Sequence, residues 1–180
     1  GMVGQTIASA LISKGHEVML GSRTATNEKA VAWTNSNGSN ASNGTFTDAA
    51  AFGEVIFICL NGNGTVDALQ SAGPENFSNK VVIDLTNPLD FSNGMPPSLL
   101  PQYCNTWSMG EEVQKQLPTA HVVKALNTVT ANLMVDANRV NNGNHNLFIC
   151  GNDAEAKNKV KHLLAENFNW KPEHILDLGD

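Results

Sequence analysis

The sequence has few basic residues, few cysteines and no long apolar run. It holds 11 lysines and arginines against 17 acidic residues, so its net charge is −6 and the basic footprint of a nucleic-acid-binding protein is missing. Its three cysteines and five histidines show no metal-ligand spacing, so we expect no metal site. No run approaches the ~20 apolar residues that cross a bilayer, and no signal peptide is visible. We therefore expect a cytoplasmic protein without a nucleic-acid or membrane partner.

The patterns that are present predict one α/β domain over residues 1–180. Helical and strand periods alternate along the chain, which predicts a doubly wound, mostly parallel sheet with helices on both faces. The predicted helices are 2–14, 26–34, 47–51, 65–69, 111–117 and 153–167, and the predicted strands are 17–20, 55–60, 80–85, 121–126, 146–150 and 175–178. Residues 35–44 are rich in Asn, Ser and Gly without apolar periodicity, and we predict a mobile surface loop there.

The first helix opens with Gly1-Met2-Val3-Gly4. Gly1 and Gly4 have the spacing of the last two glycines of the dinucleotide-binding turn G-x-G-x-x-G. In that turn the N–H groups and positive dipole end of the helix face a pyrophosphate. A bare G-x-x-G also arises by chance, so a helix start with two incidental glycines is the alternative.

No strand precedes Gly1, and the first glycine of the turn is absent. Either the chain is a fragment, or Gly1-Met2 is partly the remnant of a tag. We therefore expect a Rossmann-type sheet that lacks its first, central strand. A second copy of the chain could cover the exposed edge, so we predict a homodimer.

A second motif follows the next predicted strand. Sites selective for NAD usually carry an acidic residue about 20 residues after the glycine turn, where it binds the ribose 2′-hydroxyl. Here Ser22, Arg23 and Thr24 occupy that place. An arginine would hold a 2′-phosphate, which an acid would repel, so the motif favours NADP(H). The alternative is a solvated surface arginine.

Ligands of doubly wound sheets bind beyond the carboxyl ends of the strands. That rule selects four loops rich in small or amide residues: 21–24, 60–64, 86–89 and 125–128. Such groups suit hydrogen bonding to a nicotinamide. Asp84 and Lys124, at two strand ends, could contact a substrate or could be structural partners.

Five segments in this order resemble the NADPH-dependent coenzyme F-420 reductases, which are Rossmann-type relatives of 6-phosphogluconate dehydrogenase. These segments are Gly1-Met2-Val3-Gly4, Gly15-His16-Glu17-Val18, Gly21-Ser22-Arg23, Asp84-Leu85-Thr86-Asn87-Pro88 and Val123-Lys124-Ala125-Leu126-Asn127-Thr128. The resemblance implies an enzyme that transfers hydride between NADP(H) and a small-molecule acceptor, namely coenzyme F-420 (a deazaflavin) or a flavin. Such transfer needs orientation and a dry cleft more than an acid or base, so we predict no catalytic side chain.

The resemblance also implies which residues bind the cofactor. They are Gly1, Met2, Val3 and Gly4 at the pyrophosphate, Ser22, Arg23 and Thr24 at the 2′-phosphate, Leu60 and Asn61 beside the cofactor, Asn87 and Pro88 at the cleft floor, and Ala125 and Asn127 near the nicotinamide. The loop 60–64 departs from the family pattern, which predicts a looser loop and leaves the acceptor open. Two alternatives remain: a non-catalytic NADPH sensor, and a reductase of a small imine or keto acid.

Overall fold

A parallel sheet flanked by helices is the frame of the computed structural model, which describes residues 1–180. The helices are α1 (Met2–Ser13), α2 (Glu28–Ser36), α3 (Phe46–Phe52), α4 (Thr65–Ala72), α5 (Met109–Gln116), α6 (Ala131–Met134) and α7 (Ala154–Phe168). The strands are β1 (Val18–Ser22), β2 (Ala41–Thr45), β3 (Val55–Ile58), β4 (Val81–Asp84), β5 (Leu89–Asp90), β6 (Ser98–Leu99), β7 (His121–Ala125), β8 (Leu147–Cys150) and β9 (Ile175–Asp177). None of the helices combines the length and apolarity that a bilayer crossing requires.

The strands form one five-stranded sheet and two pairs. The large sheet has the order β3-β4-β7-β8-β9. β7 and β8 pair antiparallel, and the other three neighbouring pairs are parallel. β1 pairs in parallel with β2, and β5 and β6 form a short hairpin. The predicted mostly parallel α/β fold is confirmed.

Helices cover both faces of the large sheet because successive strand residues point to opposite sides. Ile83 and Val123 belong to a core of 18 buried residues that includes side chains of α1 and α7. Their neighbours Val82 and Val122 belong to a second core of 11 buried residues, with side chains of α3, α4 and α5. This two-sided burial explains why β4 and β7 read as continuous apolar runs.

β1 and β3 are not bonded to each other, and a cavity of about 770 Å³ lies between them. β2 and β1 lie on one side of the cavity, and β3, β4 and β7 lie on the other. In a doubly wound sheet with the strand order 3-2-1-4-5-6, these strands correspond to 3 and 2 and to 4, 5 and 6, and the cavity corresponds to the position of strand 1. The strand orders on the two sides of the cavity therefore match those of a Rossmann-type sheet.

The prediction of a mobile loop over residues 35–44 was wrong at both ends, because α2 extends to Ser36 and β2 begins at Ala41. Ala41–Thr45 is β2, which pairs with β1 in register from Val18↔Ala41 to Ser22↔Thr45. Backbone hydrogen bonds to β1 hold this strand in place, so it needs no apolar side chains and shows no apolar periodicity. Gly44 is buried, and a Cβ there would lie 2.7 Å from Cβ of Asp48, so its small size is required.

Candidate functional site

The predicted cofactor-binding residues lie at the start of α1 and at or just after the carboxyl ends of β1, β3, β4 and β7. Parallel strands end at the same edge, so their loops can meet there. Each of these loops contacts the next one in space: Arg23 lies near Gly64, Gly62 packs against Asn87, and Asn87 is hydrogen-bonded to Asn127. We call this row of loops the cleft edge.

The N-terminus of α1 is open to a ligand. Gly1 is the N-cap and supplies no side-chain bond to the first turn, and both Gly1 and Met2 are exposed. A Cβ on Gly1 would meet nothing within 4 Å, whereas a Cβ on Gly4 would lie 3.4 Å from Cβ of Cys59. Gly4 therefore lets the helix lie close to the end of β3, while the N–H groups ahead of it stay available to an anion.

Arg23 is exposed, and its guanidinium has neither an ion-pair nor a hydrogen-bond partner in the structure. The turn that carries it is held by other groups: Ser22 Oγ donates to the Thr24 carbonyl at 2.6 Å, and Asn43 Nδ2 donates to the Ala25 carbonyl at 2.7 Å. A Cβ on Gly64 would lie 4.0 Å from Nη2 of Arg23, so the side chain reaches along the cleft edge. A fixed turn thus presents an uncompensated positive charge there.

The loop after β3 is more constrained than its glycine content indicates. The carbonyl of Asn61 accepts from Thr65 Oγ1 at 3.0 Å, and Asn61 Oδ1 accepts from the Asn63 amide at 3.3 Å. Gly62 is buried, and a Cβ there would lie 2.6 Å from the Asn87 carbonyl oxygen and 2.7 Å from Cα of Pro88. The expectation of a looser loop does not fit this packing, since Gly62 joins the β3 and β4 loops by direct backbone contact.

Gly62→Ala should lower the free energy of unfolding by about 1–3 kcal/mol, because the added methyl would overlap backbone that cannot rotate away. Chemical denaturation followed by circular dichroism measures the loss. Gly64→Ala is the matched control: it lies in the same turn, neither glycine has a positive φ, and its Cβ would meet no atom closer than 4.0 Å. Equal stability of the two variants would show that the contact between the loops is unimportant.

Asn87 and Asn127 fasten the ends of β4 and β7 to each other. Asn87 Nδ2 donates to the Asn127 carbonyl at 2.8 Å, and Asn127 Nδ2 donates to Asn87 Oδ1 at 3.2 Å. Both side chains are half-buried, so each keeps part of its surface toward the cleft edge. Ala125 is fully buried in the core, and therefore its side chain offers no contact to a ligand in this conformation.

A buried ion pair lies directly behind these loops. Asp84 is 0% exposed; its Oδ2 lies 2.9 Å from Lys124 Nζ, and its Oδ1 accepts from the amide and hydroxyl of Thr86 at 2.9 and 2.7 Å. Lys124 Nζ also donates to the carbonyl and hydroxyl of Thr86, so all three of its protons are directed to protein oxygens. The geometry supports the structural alternative for both residues.

The chain belongs to a known family by sequence and structure. A profile described as "NADP oxidoreductase coenzyme F420-dependent" matches residues 1–88. A crystal structure from Arthrobacter sp. FB24, described as that of a "putative F420 dependent NADP-reductase", is 42% identical with a TM-score of 0.91, over 100% of this chain and 81% of that one. The chain is a member of the F420-dependent NADP oxidoreductase family. It is therefore an NADP-dependent oxidoreductase.

More distant structures share the fold of this family member. Hypothetical protein SMa0349 from Sinorhizobium meliloti is 22% identical with a TM-score of 0.76, over 99% of this chain and 81% of that one. A reductive aminase from Aspergillus terreus, in complex with NADPH and ethyl levulinate, is 19% identical with a TM-score of 0.64, over 100% of this chain and 52% of that one. No curated protein matches the chain.

The family member has a second large cavity, of about 1160 Å³, beside the cleft edge. It reaches from Thr86, Asn87 and Asn127 past Lys124, and is bounded by α5 and by the segment that precedes it. Trp107 lines the cavity at 37% exposure, and its Nε1 donates to Glu112 Oε2 at 2.9 Å. Trp107 is therefore not packed in the core; it forms part of the cavity wall, and Lys115 Nζ lies 5.8 Å from the centroid of its ring. The shape of this cavity could not be predicted from the sequence, because residues distant in the chain form its walls.

Cys59 lines the cavity between β1 and β3, and we expect its thiol to react slowly. Burial raises the pKa of its thiol from the ordinary 9.0 to about 12, and only a small fraction is thiolate at neutral pH. We expect iodoacetamide at pH 8 to modify Cys59 later than Cys104, as followed by mass spectrometry of peptides. Cys59 and Cys104 are both half-buried, so the expected order rests on the raised pKa of the Cys59 thiol. Modification of Cys59 before Cys104 would contradict that raised pKa.

Proposed function

We propose that this oxidoreductase binds NADP(H) along the cleft edge and exchanges hydride with a deazaflavin such as coenzyme F-420, or with a flavin-like acceptor. The observation that carries the cofactor assignment is the unpaired Arg23 guanidinium on a fixed turn after β1, where no carboxylate competes for it. Arginine is the side chain best suited to a phosphate, since its planar fork can donate two parallel bonds.

The other residues of the site fit the rest of the cofactor. The amides of Met2 and Val3, at the uncapped start of α1, would hold the pyrophosphate, with Ser22 and Thr24 beside Arg23 at the 2′-phosphate. Leu60 and Asn61 would flank the nucleotide. When bound, NADPH supplies a hydride from its nicotinamide. Asn87 and Asn127 would orient that ring, because each amide is already fixed by the other.

The chemistry requires little of the protein beyond placement. No side chain at the cleft edge is poised as an acid or base, since Asp84 and Lys124 are fully engaged with each other and with Thr86. Transfer of hydride between two rings depends on holding them in contact and excluding water. The second cavity adjoins Asn87 and Asn127 and offers room for a flat acceptor ring next to Trp107.

Two measurements test the proposal. The first is equilibrium binding of NADPH and NADH, followed by nucleotide fluorescence; NADPH should bind and NADH should bind much more weakly. The second is anaerobic oxidation of NADPH with coenzyme F-420, with riboflavin 5′-phosphate and with a cyclic imine as separate acceptors. Turnover with F-420 or the flavin supports the proposal, turnover with the imine alone indicates an imine reductase, and binding without any turnover indicates a nucleotide sensor.

A further inference from the structure

Two aromatic side chains, Tyr103 and Trp107, line the second cavity. Trp107 is exposed, whereas the other two tryptophans of the chain, Trp33 and Trp170, are buried. The ammonium of Lys115 lies over the Trp107 ring, within the range of a cation–π contact. A positive charge thus occupies one side of the indole, and a flat ligand would stack on the other.

The backbone at Trp107 is fixed by the start of α5. Ser108 is the N-cap of this helix, and its hydroxyl oxygen accepts from the Glu111 amide at 3.1 Å. The Glu111 carboxylate accepts in return from the Ser108 amide at 2.7 Å, which completes a capping box. Trp107 directly precedes this doubly bonded helix start, so its ring can move mainly by rotation about its own side-chain bonds.

Rotation of the ring is restrained by Glu112, in the first turn of α5. Trp107 Nε1 donates to Glu112 Oε2 at 2.9 Å, and Gln116 Nε2 donates to Glu112 Oε1 at 2.7 Å. The bonds from Gln116 and then from Trp107 lower the pKa of the Glu112 carboxyl, so both oxygens accept as a carboxylate. Hydrogen bonds to a charged group are roughly twice as strong as neutral ones, which makes Glu112 an effective restraint on the indole.

Glu112 is itself held in place from α4. Gln116 Oε1 accepts from Gln70 Nε2 at 2.6 Å, so hydrogen bonds run without a break from the indole through Glu112 to α4. α4 begins at Thr65, whose hydroxyl donates to the Asn61 carbonyl in the loop after β3. The wall of the second cavity is thereby tied to the helix that starts at the cleft edge.

We propose that Trp107 binds a planar, conjugated hydride acceptor by stacking, and that Glu112 is the positioning residue that fixes the plane of the indole. This inference rests on the proposed function, because hydride transfer requires the acceptor ring to lie against the nicotinamide at a defined angle. Asn87 and Asn127 line the same cavity as Trp107, so one cavity joins the proposed nicotinamide position to the stacking surface. An acceptor without a flat ring would gain nothing from a fixed indole. The assignment therefore favours a deazaflavin or a flavin over a small imine or keto acid.

The test uses riboflavin 5′-phosphate, whose fluorescence is quenched when its ring stacks on an indole. Titration of the flavin with protein gives the affinity and the quenching at saturation. Trp107→Ala should abolish the quenching and weaken binding by about 2- to 10-fold, the range of a stacked aromatic pair. Glu112→Leu should reduce both in the same direction, because the indole is then free to turn. Glu112→Gln should restore them, since an amide oxygen can still accept from the indole.

Glu155→Leu is the matched control for the loss of a charge. Glu155 also lies in the first turn of a helix and is exposed, but its side chain makes no hydrogen bond, so its replacement should leave flavin binding unchanged. The thermal midpoint and the NADPH affinity are measured on the same variants. If Glu112 only supported the fold, Glu112→Leu would lower both of these, whereas a positioning role leaves NADPH binding intact.

Equal quenching by the wild type and Glu112→Leu would overturn the positioning role, and absence of flavin binding to the wild type would overturn the inference as a whole. Anaerobic oxidation of NADPH by coenzyme F-420 separates this inference from the proposed function. An unchanged KM for F-420 in Trp107→Ala and Glu112→Leu refutes the inference and leaves the function standing. A wild type that quenches the flavin through Trp107 but transfers no hydride refutes the proposed function alone.

Discussion

Arg23→Ala should weaken NADPH binding by about 10- to 100-fold and leave NADH binding unchanged. A hydrogen bond to a charged group contributes about 1.5–3 kcal/mol, and each 1.4 kcal/mol is a factor of ten in affinity. The loss should be specific for NADPH, because Arg23 is proposed to bind the 2′-phosphate and NADH has only a hydroxyl at that position. Fluorescence titration of both nucleotides against the wild type and the variant measures it.

The chain offers a matched control in its second arginine. Arg139 is exposed, its Nε lies 3.6 Å from Oδ2 of Asp136 in a turn after α6, and it makes none of the contacts that define the cleft edge, so Arg139→Ala should leave both affinities unchanged. Arg23→Lys should retain part of the affinity, since lysine keeps the charge but cannot make two parallel bonds. Equal weakening of NADPH and NADH in Arg23→Ala would contradict a 2′-phosphate role and indicate that the side chain supports the turn.

Most strands could be predicted because buried strands consist largely of apolar residues, which form a visible run in the sequence. β4 and β7 are covered by helices on both faces, and that environment demands the continuous apolar runs that the sequence shows. β2 could not be predicted from its sequence, Ala-Ser-Asn-Gly-Thr, because backbone bonds to β1 hold it. The hairpin of β5 and β6, two residues a strand, is too short for any period to be visible.

The candidate site could be predicted as a set of loops but not as a set of contacts. The strand-end rule selects the loops that hold Arg23, Asn61, Asn87 and Asn127, since it needs only the order of elements. The reciprocal bonds of Asn87 and Asn127 join residues 40 positions apart. Gly62 is tight against Asn87 only because the β3 and β4 loops are spatial neighbours. Such contacts depend on the distance between loops, which no local pattern specifies.

Lys124→Met should destabilise the protein by about 3–5 kcal/mol, the cost of leaving one member of a buried ion pair without its partner. The Asp84 side chain is 0% exposed, so its carboxylate would lose the ammonium and stay largely shielded from water, whereas Lys124 is 17% exposed and lines the second cavity. Urea unfolding followed by circular dichroism measures the change. Lys159→Met, on the exposed face of α7, is the control and should alter stability by less than about 0.5 kcal/mol.

The double variant Asp84→Asn/Lys124→Met distinguishes a buried charge from a general packing defect. An amide at position 84 can still accept from the Thr86 amide, and it carries no charge, so the double variant should be more stable than Lys124→Met alone. If both variants lose the same stability, the unpaired charge of Asp84 is not the cause of the destabilisation.

The ion pair of Asp84 and Lys124 also anchors Thr86, the residue before Asn87, through four hydrogen bonds. A double variant that folds yet binds NADPH more weakly would therefore show that this buried pair acts on the cleft by holding the Asn87 turn in place.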